Sequence, residues 1–167
     1  MKEEPAVPNG VLGVVLLIGA EAMMFAALIS AYLIYRMGSE GPWPPPGQPR
    51  LPLGVTAANT AVLLLSGWLV WRGRLSQGAL LGLLFLAVQG SEWVRLLGYG
   101  LRMSRDIYGA TFYALVGLHA LHVAAGLGWL GLSLARGTGG RLARLYWAFV
   151  VLLWPLLFAL VYLPRNP

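Results

Sequence analysis

The run VLGVVLLIGAEAMMFAALISAYLIY, from Val11 to Tyr35, carries one charged residue, Glu21, among 25 positions. A helix rises 1.5 Å per residue, so roughly 20 apolar residues cross the hydrocarbon core of a bilayer. This run is long enough to do so with tilt. It shows no alternation of polar and apolar residues, so a strand of a closed barrel is excluded.

Four further runs repeat the pattern: about Leu53 to Trp71, Gly78 to Leu97, Ile107 to Leu134 and Leu145 to Leu163. The chain therefore reads as all-α, a polytopic membrane protein built as a bundle of five transmembrane helices. Residues 1–10 are expected as an extramembrane segment, 11–163 as one transmembrane domain and 164–167 as a tail. Composition agrees: 58% of the 167 residues are hydrophobic and 11% charged, against about a quarter charged in soluble domains. The net charge of +6 comes from scattered arginines. No basic patch forms, so nucleic acid is not an expected partner, and the arginines read as headgroup anchors. The absence of cysteine excludes disulfides, iron–sulfur ligation, thiolate copper sites and cysteine nucleophiles. The first apolar run is too long for a signal-peptide core, and no cleavable signal is expected.

The connections fit five spans. PWPPPGQPRLP, residues 42–52, is stiff and polyproline-like and belongs at an interface. RGRLSQ and RGTGGRLAR are short turns rich in Arg and Gly. Trp43, Trp68, Trp71, Trp147 and Tyr162 lie near span ends, where interfacial aromatics are enriched. No internal repeat supports an inverted-repeat transporter. The N-terminal side would carry Lys2, Arg72, Arg74, Arg136, Arg141 and Arg144, the other side Arg36, Arg50, Arg95, Arg102, Arg105 and Arg165. The tally is even, but the tight loops of the first set are denser in Arg. That predicts a cytoplasmic N-terminus in a prokaryotic plasma membrane.

Ionisable groups at membrane depth are costly, about 3 kcal/mol or more, and so need a partner or a task. Residues three and four positions from Glu21 are Leu17, Ile18, Met24 and Phe25, so no local partner exists. An apolar surround penalises its charged form, and both proton handling and plain neutral hydrogen bonding remain open for it. Glu92 lies one turn from Arg95, and an ion pair accounts for it. In the fourth span Tyr108, Thr111, Leu115, His119, His122 and Gly126 follow steps of three and four and share one face. Asn59 and Thr60, with Thr56 and Ser66, mark the second span, and Gln89 with Glu92 marks the third. These groups, Asn59, Thr60, Gln89, Glu92, Thr111, His119 and His122, are candidates for an interhelical polar network, because lipid offers them no partners. Two histidines at i, i+3 can face one metal ion, though not both faces of one haem. Structural hydrogen bonding is the plainer reading. Gly78 to Gly82 forms a GxxxG, a weak signal in a chain with 22 glycines. No nucleophile–base pair or phosphate loop is visible.

Five blocks together resemble subunit III of the haem-copper cytochrome oxidases. LIGAEAMMFAALISAYLIYR is similar to the family's first common helix. NTAVLLLSG resembles Asn-Thr-x-x-Leu-Leu-x-Ser-Ser, and LLGLLFLAVQGSEW resembles Gly-x-x-Phe-x-x-x-Gln-x-x-Glu-aromatic. TFYALVGLHALHVAAG is similar to Phe-(Phe/Tyr)-x-x-Thr-Gly-x-His-x-x-His-Val-x-x-Gly. YWAFVVLLWPLLFALVY is similar to a closing helix beginning Tyr-Trp-His-Phe-Val-Asp-x-x-Trp. The blocks come in family order from Val11 onward. Ala20, Gly67, Val116, Ala148 and Val151 depart from them, replacing Ser, Ser, Thr, His and Asp.

The resemblance is to the five-helix form and implies a non-catalytic accessory subunit of a respiratory haem-copper oxidase, supporting proton uptake in aerobic electron transport. It implies haem and copper in partner subunits, none bound by this chain, and no catalytic, cofactor-binding or metal-binding residue here. The implied partners are catalytic subunit I, subunit II and membrane phospholipids, in an oxidase of cytochrome c or quinol. The alternatives are the equivalent subunit of a nitric oxide reductase-type complex, or a small independent proton or solute transporter using Glu21.

Overall fold

The computed structural model describes residues 9–49, 51–104, 106–138 and 140–163. Helices α1 (Asn9–Met37), α2 (Leu53–Trp71), α3 (Leu75–Gly98), α4 (Ile107–Ala135) and α5 (Arg141–Tyr162) are each long and apolar enough to cross a membrane. The described residues contain no strand. Three helices start earlier than the apolar runs suggest: α1 at Asn9, α3 at Leu75 and α5 at Arg141. A helix can extend beyond its apolar run, and Asn9 and Gly10 form the start of α1. Residues 1–8 and the tail 164–167 lie outside the described residues, as do Arg50 and Arg105.

Glycine sets the turns that bring neighbouring helices together. After α2, Gly73 has φ +82°. Its amide bonds back to Val70 and that of Arg74 to Leu69, the paired closure of a left-handed C-terminal cap. Gly137 (φ +62°) ends α4 in the same way, with Thr138 N–H on Ser133 O at 3.1 Å. Both turns need few residues, so α2 folds tightly onto α3, and α4 onto α5. At the other end Asp106 caps α4, accepting from Gly109 N–H at 2.8 Å as good N-caps do. Gln48 of the proline-rich link donates to its second oxygen.

Helix α5 is central, packing against α1, α2 and α4, while α3 closes the bundle against α2 and α4. Pro155 sits inside α5, tolerated in spanning helices where neighbours supply lost hydrogen bonds. Helix α1 stands outermost, burying only Val14, Phe25 and Tyr32. Apolar burial cannot hold helices together in lipid, so close packing and polar ties must. Close packing surrounds Trp147, which is fully buried. Its indole occupies a slot between Gly82 of α3 and Gly126 of α4; a Cβ on either would come within 2.8 Å of the ring. The GxxxG pair therefore works inside the chain, with Gly78 against Ser66 and Val70 of α2 and Gly82 against Trp147.

Two sequence expectations change here. Trp68 and Trp71 are exposed near a span end, with the Arg72 guanidinium 5.0 Å from the Trp68 ring centre, as interfacial anchors would be. Trp43, Trp147 and Tyr162 are instead buried: Gly82 and Gly126 make room for Trp147, and aromatic neighbours surround Trp43 and Tyr162. Helix α4 is also not uniform: Tyr113–Gly117 forms a π-helical turn. One inserted residue rotates the remainder of the helix by about 100°. Leu115 and Val116 are both fully buried across this change of register.

Candidate functional site

The polar side chains of the spans meet in a seam along α5. On α2, Asn59 Nδ2 donates to Phe85 O of α3 at 3.0 Å. Thr60 donates to Thr56 O at 2.7 Å and accepts from Trp154 Nε1 at 2.8 Å, so one hydroxyl serves two helices. Ser66 works alike, donating to Gly78 O at 2.6 Å and accepting from Trp147 Nε1 at 3.2 Å. On α3, Gln89 Nε2 donates to the Tyr162 hydroxyl at 3.1 Å. Glu92 is buried, and Arg95 reaches it at 2.9 Å with an exposed guanidinium, the geometry of a snorkelling cation. Thr111 bonds only within α4, to Ile107 and Tyr108 carbonyls.

The two histidines point to different neighbours. His119 is wholly buried, stacked on Trp154 with ring centres 4.9 Å apart and edge-on to Phe85 at 6.4 Å. Neither of its ring nitrogens has a hydrogen-bond partner among the described residues. His122 turns toward α1. Its Nδ1 lies 2.7 Å from Leu118 O, and its Nε2 lies 3.6 Å from Glu21 Oε1. Phe25 meets the ring edge-on at 5.2 Å. The Tyr146 hydroxyl of α5 donates to the same Glu21 oxygen at 3.4 Å. Glu21 thus finds in α4 and α5 the partners that its own helix does not supply.

These contacts fix the tautomer. A carbonyl oxygen only accepts, so Nδ1 of His122 carries the hydrogen. In a neutral ring Nε2 then presents a lone pair to a carboxylate oxygen, which is repulsive. One further proton, on either partner, turns the contact attractive. The second carboxylate oxygen, Oε2, is buried with no partner among the described residues. Asn59 Oδ1 and Gln89 Oε1 are likewise buried without a partner among the described residues, so what sets Glu21, His122 and Tyr146 apart is the approach of a carboxylate, an imidazole and a phenol from three helices.

This chemistry does not suit haem or copper. The His119 ring is sandwiched by Trp154 and Phe85, and His122 is held to Leu118 and Glu21, so the pair does not converge as ligands to one ion. Among the described residues no group of three or more His, Cys, Asp or Glu side chains forms a metal-sized cluster.

The sequence reading missed Trp154 and Tyr146 as polar partners and read Trp147 and Tyr162 as interfacial aromatics. Trp147 and Trp154 lie seven residues apart on α5, on the face that also buries Val150, Leu157 and Val161. That spacing was a readable signal. Gly67 and Val151 also meet: a Cβ on Gly67 would lie 2.8 Å from Val151 Cγ1. Two positions that depart from the motifs thus touch each other.

Five antiparallel spans tied by buried polar contacts, with a carboxyl–histidine–tyrosine cluster on the outermost helix, define a small helical integral membrane protein. The family model "Cytochrome c oxidase subunit III" matches residues 2–165. A cytochrome c oxidase subunit 3 of Synechocystis sp. is 34% identical, covering 90% of this chain and 74% of that relative. Its counterpart in Thermostichus vulcanus is 34% identical over 92% of this chain and 86% of the relative. A probable subunit 3 of Nocardia farcinica is 32% identical over 95% and 90%. The chain belongs to the cytochrome c oxidase subunit III family.

Proposed function

We propose that the chain is the non-catalytic subunit III of a respiratory haem-copper oxidase, seated beside the catalytic subunit I and subunit II, which carry the haem and copper. The observation that carries this reading is the family match over residues 2–165. The geometry supports it, because most seam groups are spent on interhelical ties and the histidines are turned to different neighbours. The rival readings, a nitric oxide reductase-type complex or an independent transporter, gain no support from the relatives' names.

Within that role, Glu21 with His122 and Tyr146 holds a proton near the face of α1 that the chain itself leaves uncovered. The unpartnered Oε2 supports this assignment. Cations at the span ends bear on orientation. Arg72, Arg74, Arg136, Arg141 and Arg144 crowd the two tight loops on the side of the α1 N-terminus, although Lys and Arg over the full sequence number six on each side. Dense Arg in tight loops is a mark of the cytoplasmic side, which supports a cytoplasmic N-terminus in a prokaryotic plasma membrane.

Extraction in mild detergent tests the function. A larger haem-bearing chain should co-purify with this one, and the separated subunit should show no Soret absorbance. A chain that purifies without such a partner from respiring membranes would overturn the reading.

A further inference from the structure

The Trp147 slot is framed by Ser66 on α2, Gly82 on α3 and Gly126 on α4. Seven residues along a helix span about 10 Å and return a side chain to within about 20° of the same direction. Seven residues from the slot, away from the α1 N-terminal side, the four helices carry Asn59, Gln89, His119 and Trp154. The contacts agree with this shared level. Asn59 bonds to Phe85 O, one turn before Gln89. The Phe85 ring meets both His119 and Trp154 edge-on, and His119 stacks on Trp154.

Each polar member of this layer has hydrogen-bonding capacity left over. Asn59 spends its Nδ2 on Phe85 O, and Gln89 its Nε2 on the Tyr162 hydroxyl. Asn59 Oδ1, Gln89 Oε1 and both ring nitrogens of His119 are buried with no partner among the described residues. Leaving such groups unpaired at membrane depth is costly. The stack on Trp154 covers a face of the imidazole, whereas its nitrogens lie in the ring plane and stay free to bond. Amide oxygens only accept, and a neutral imidazole has one N–H and one lone pair. A water molecule donates twice and accepts twice, and buried waters make about three hydrogen bonds. Water donating to both amide oxygens and accepting from the imidazole N–H completes three bonds. A cation suits the set poorly, because Asn59 and Gln89 carry no charge to balance it at this depth. Glu92, one turn beyond Gln89, is already held by Arg95.

We propose that α2, α3 and α4 enclose a binding site for one water molecule at this layer, held by Asn59 Oδ1, Gln89 Oε1 and a ring nitrogen of His119. Among the described residues, no side chain of α4 hydrogen-bonds directly to α2 or α3. The water is the polar tie between them, where burial alone cannot hold helices together in lipid. The site is separate from Glu21 and does not rest on the oxidase reading.

The test uses the full-length chain with the companions that mild detergent extracts with it. A cryo-electron microscopy map sharp enough to show ordered waters should contain one feature within about 3.2 Å of all three residues' free polar atoms. Solid-state NMR of the same material in lipid, with isotope-labelled histidine, should show one protonated His119 nitrogen exchanging magnetisation with water. His119→Phe assigns that signal by removing it. Asn59→Leu and Gln89→Leu each delete an acceptor and should abolish both the density and the water signal. Thr111→Val alters an α4 hydroxyl that bonds only within its own helix and should leave both unchanged. If the leucine variants do not assemble, the unaltered chain decides by its map and spectrum. A His119 N–H bonded directly to a protein carbonyl, a native chain without the water signal, or density coordinated as a metal cation would each overturn the site.

Discussion

Replacing Gly82 by alanine probes a contact on which three helices converge. The added Cβ would sit 2.7 Å from both Cη2 and Cζ2 of Trp147 and 3.0 Å from Leu127 Cδ2. Ordinary contact begins near 3.4 Å, so the indole must retreat by about 0.7 Å. It has nowhere to go, because its opposite edge already faces Gly126, where a Cβ would meet Cε3 at 2.8 Å. Retreat would also stretch the 3.2 Å bond from Nε1 to Ser66. Overpacking of this kind costs roughly 1–3 kcal/mol. Gly19→Ala is the control: nothing lies within 4 Å of its Cβ position, and alanine is the better helix former by up to about 1 kcal/mol.

The assay is unfolding of the full-length chain in mixed micelles by titrated sodium dodecyl sulfate, monitored by helical circular dichroism. Gly82→Ala should lose about 2 kcal/mol, and Gly19→Ala should lose nothing. Trp147→Phe removes the atoms that clash, together with a bond worth about 0.6 kcal/mol in a bilayer. Combined with Gly82→Ala it should therefore restore part of the loss, with a coupling of about 1–2 kcal/mol. If the two single costs simply add to within about 0.5 kcal/mol, the slot does not exist as described.

The same contacts predict three further outcomes. Glu21→Gln keeps an oxygen for Tyr146 but removes the exchangeable proton; the complex should assemble normally while proton uptake during turnover slows, and failed assembly would make the role structural. Asp106→Ala removes the cap of α4 and its tie to Gln48; a loss of about 1 kcal/mol is expected in the micelle titration, with Asp106→Asn milder. Gly67→Ala should cost roughly 1–3 kcal/mol through its 2.8 Å approach to Val151, and Val151→Ala in the same chain should recover most of it.

The spans were legible because bilayer thickness imposes a length on every apolar run, and no competing force changes it. The seam was legible in part for the same reason. Asn59, Thr60 and Gln89 have no partners in lipid, so they had to turn inward. Which partner each would take was not legible. Thr60 meets Trp154 and Gln89 meets Tyr162 across 94 and 73 residues of chain, and such pairs depend on helix order and rotation. Thr111 illustrates the limit: it shares the stepping of His119, but the π-helical turn between them breaks the register that the stepping assumed. The burial of Trp147 was hidden for a different reason. A tryptophan near a span end usually seeks the interface, and only the glycines at positions 82 and 126, on two other helices, make the interior preferable.

The contact between Gly67 and Val151 connects these points. Both positions depart from motifs that elsewhere match in order, one losing a hydroxyl and the other a carboxylate. A lone polar group left at either place would need a partner at membrane depth or incur the cost of an unsatisfied buried group. Losing both removes that demand, and the space is then filled by valine pressed against a backbone that has no Cβ. The α2–α5 contact is thereby held by packing at Gly67 and Val151 and by the bonds of Trp147 to Ser66 and Trp154 to Thr60, the two tryptophans flanking Val151 on α5. Replacing one polar group alone would leave the other stranded. Gly67 and Val151 thus form one packing unit, with the tryptophan donors beside it fixing the rotation of α5 against α2.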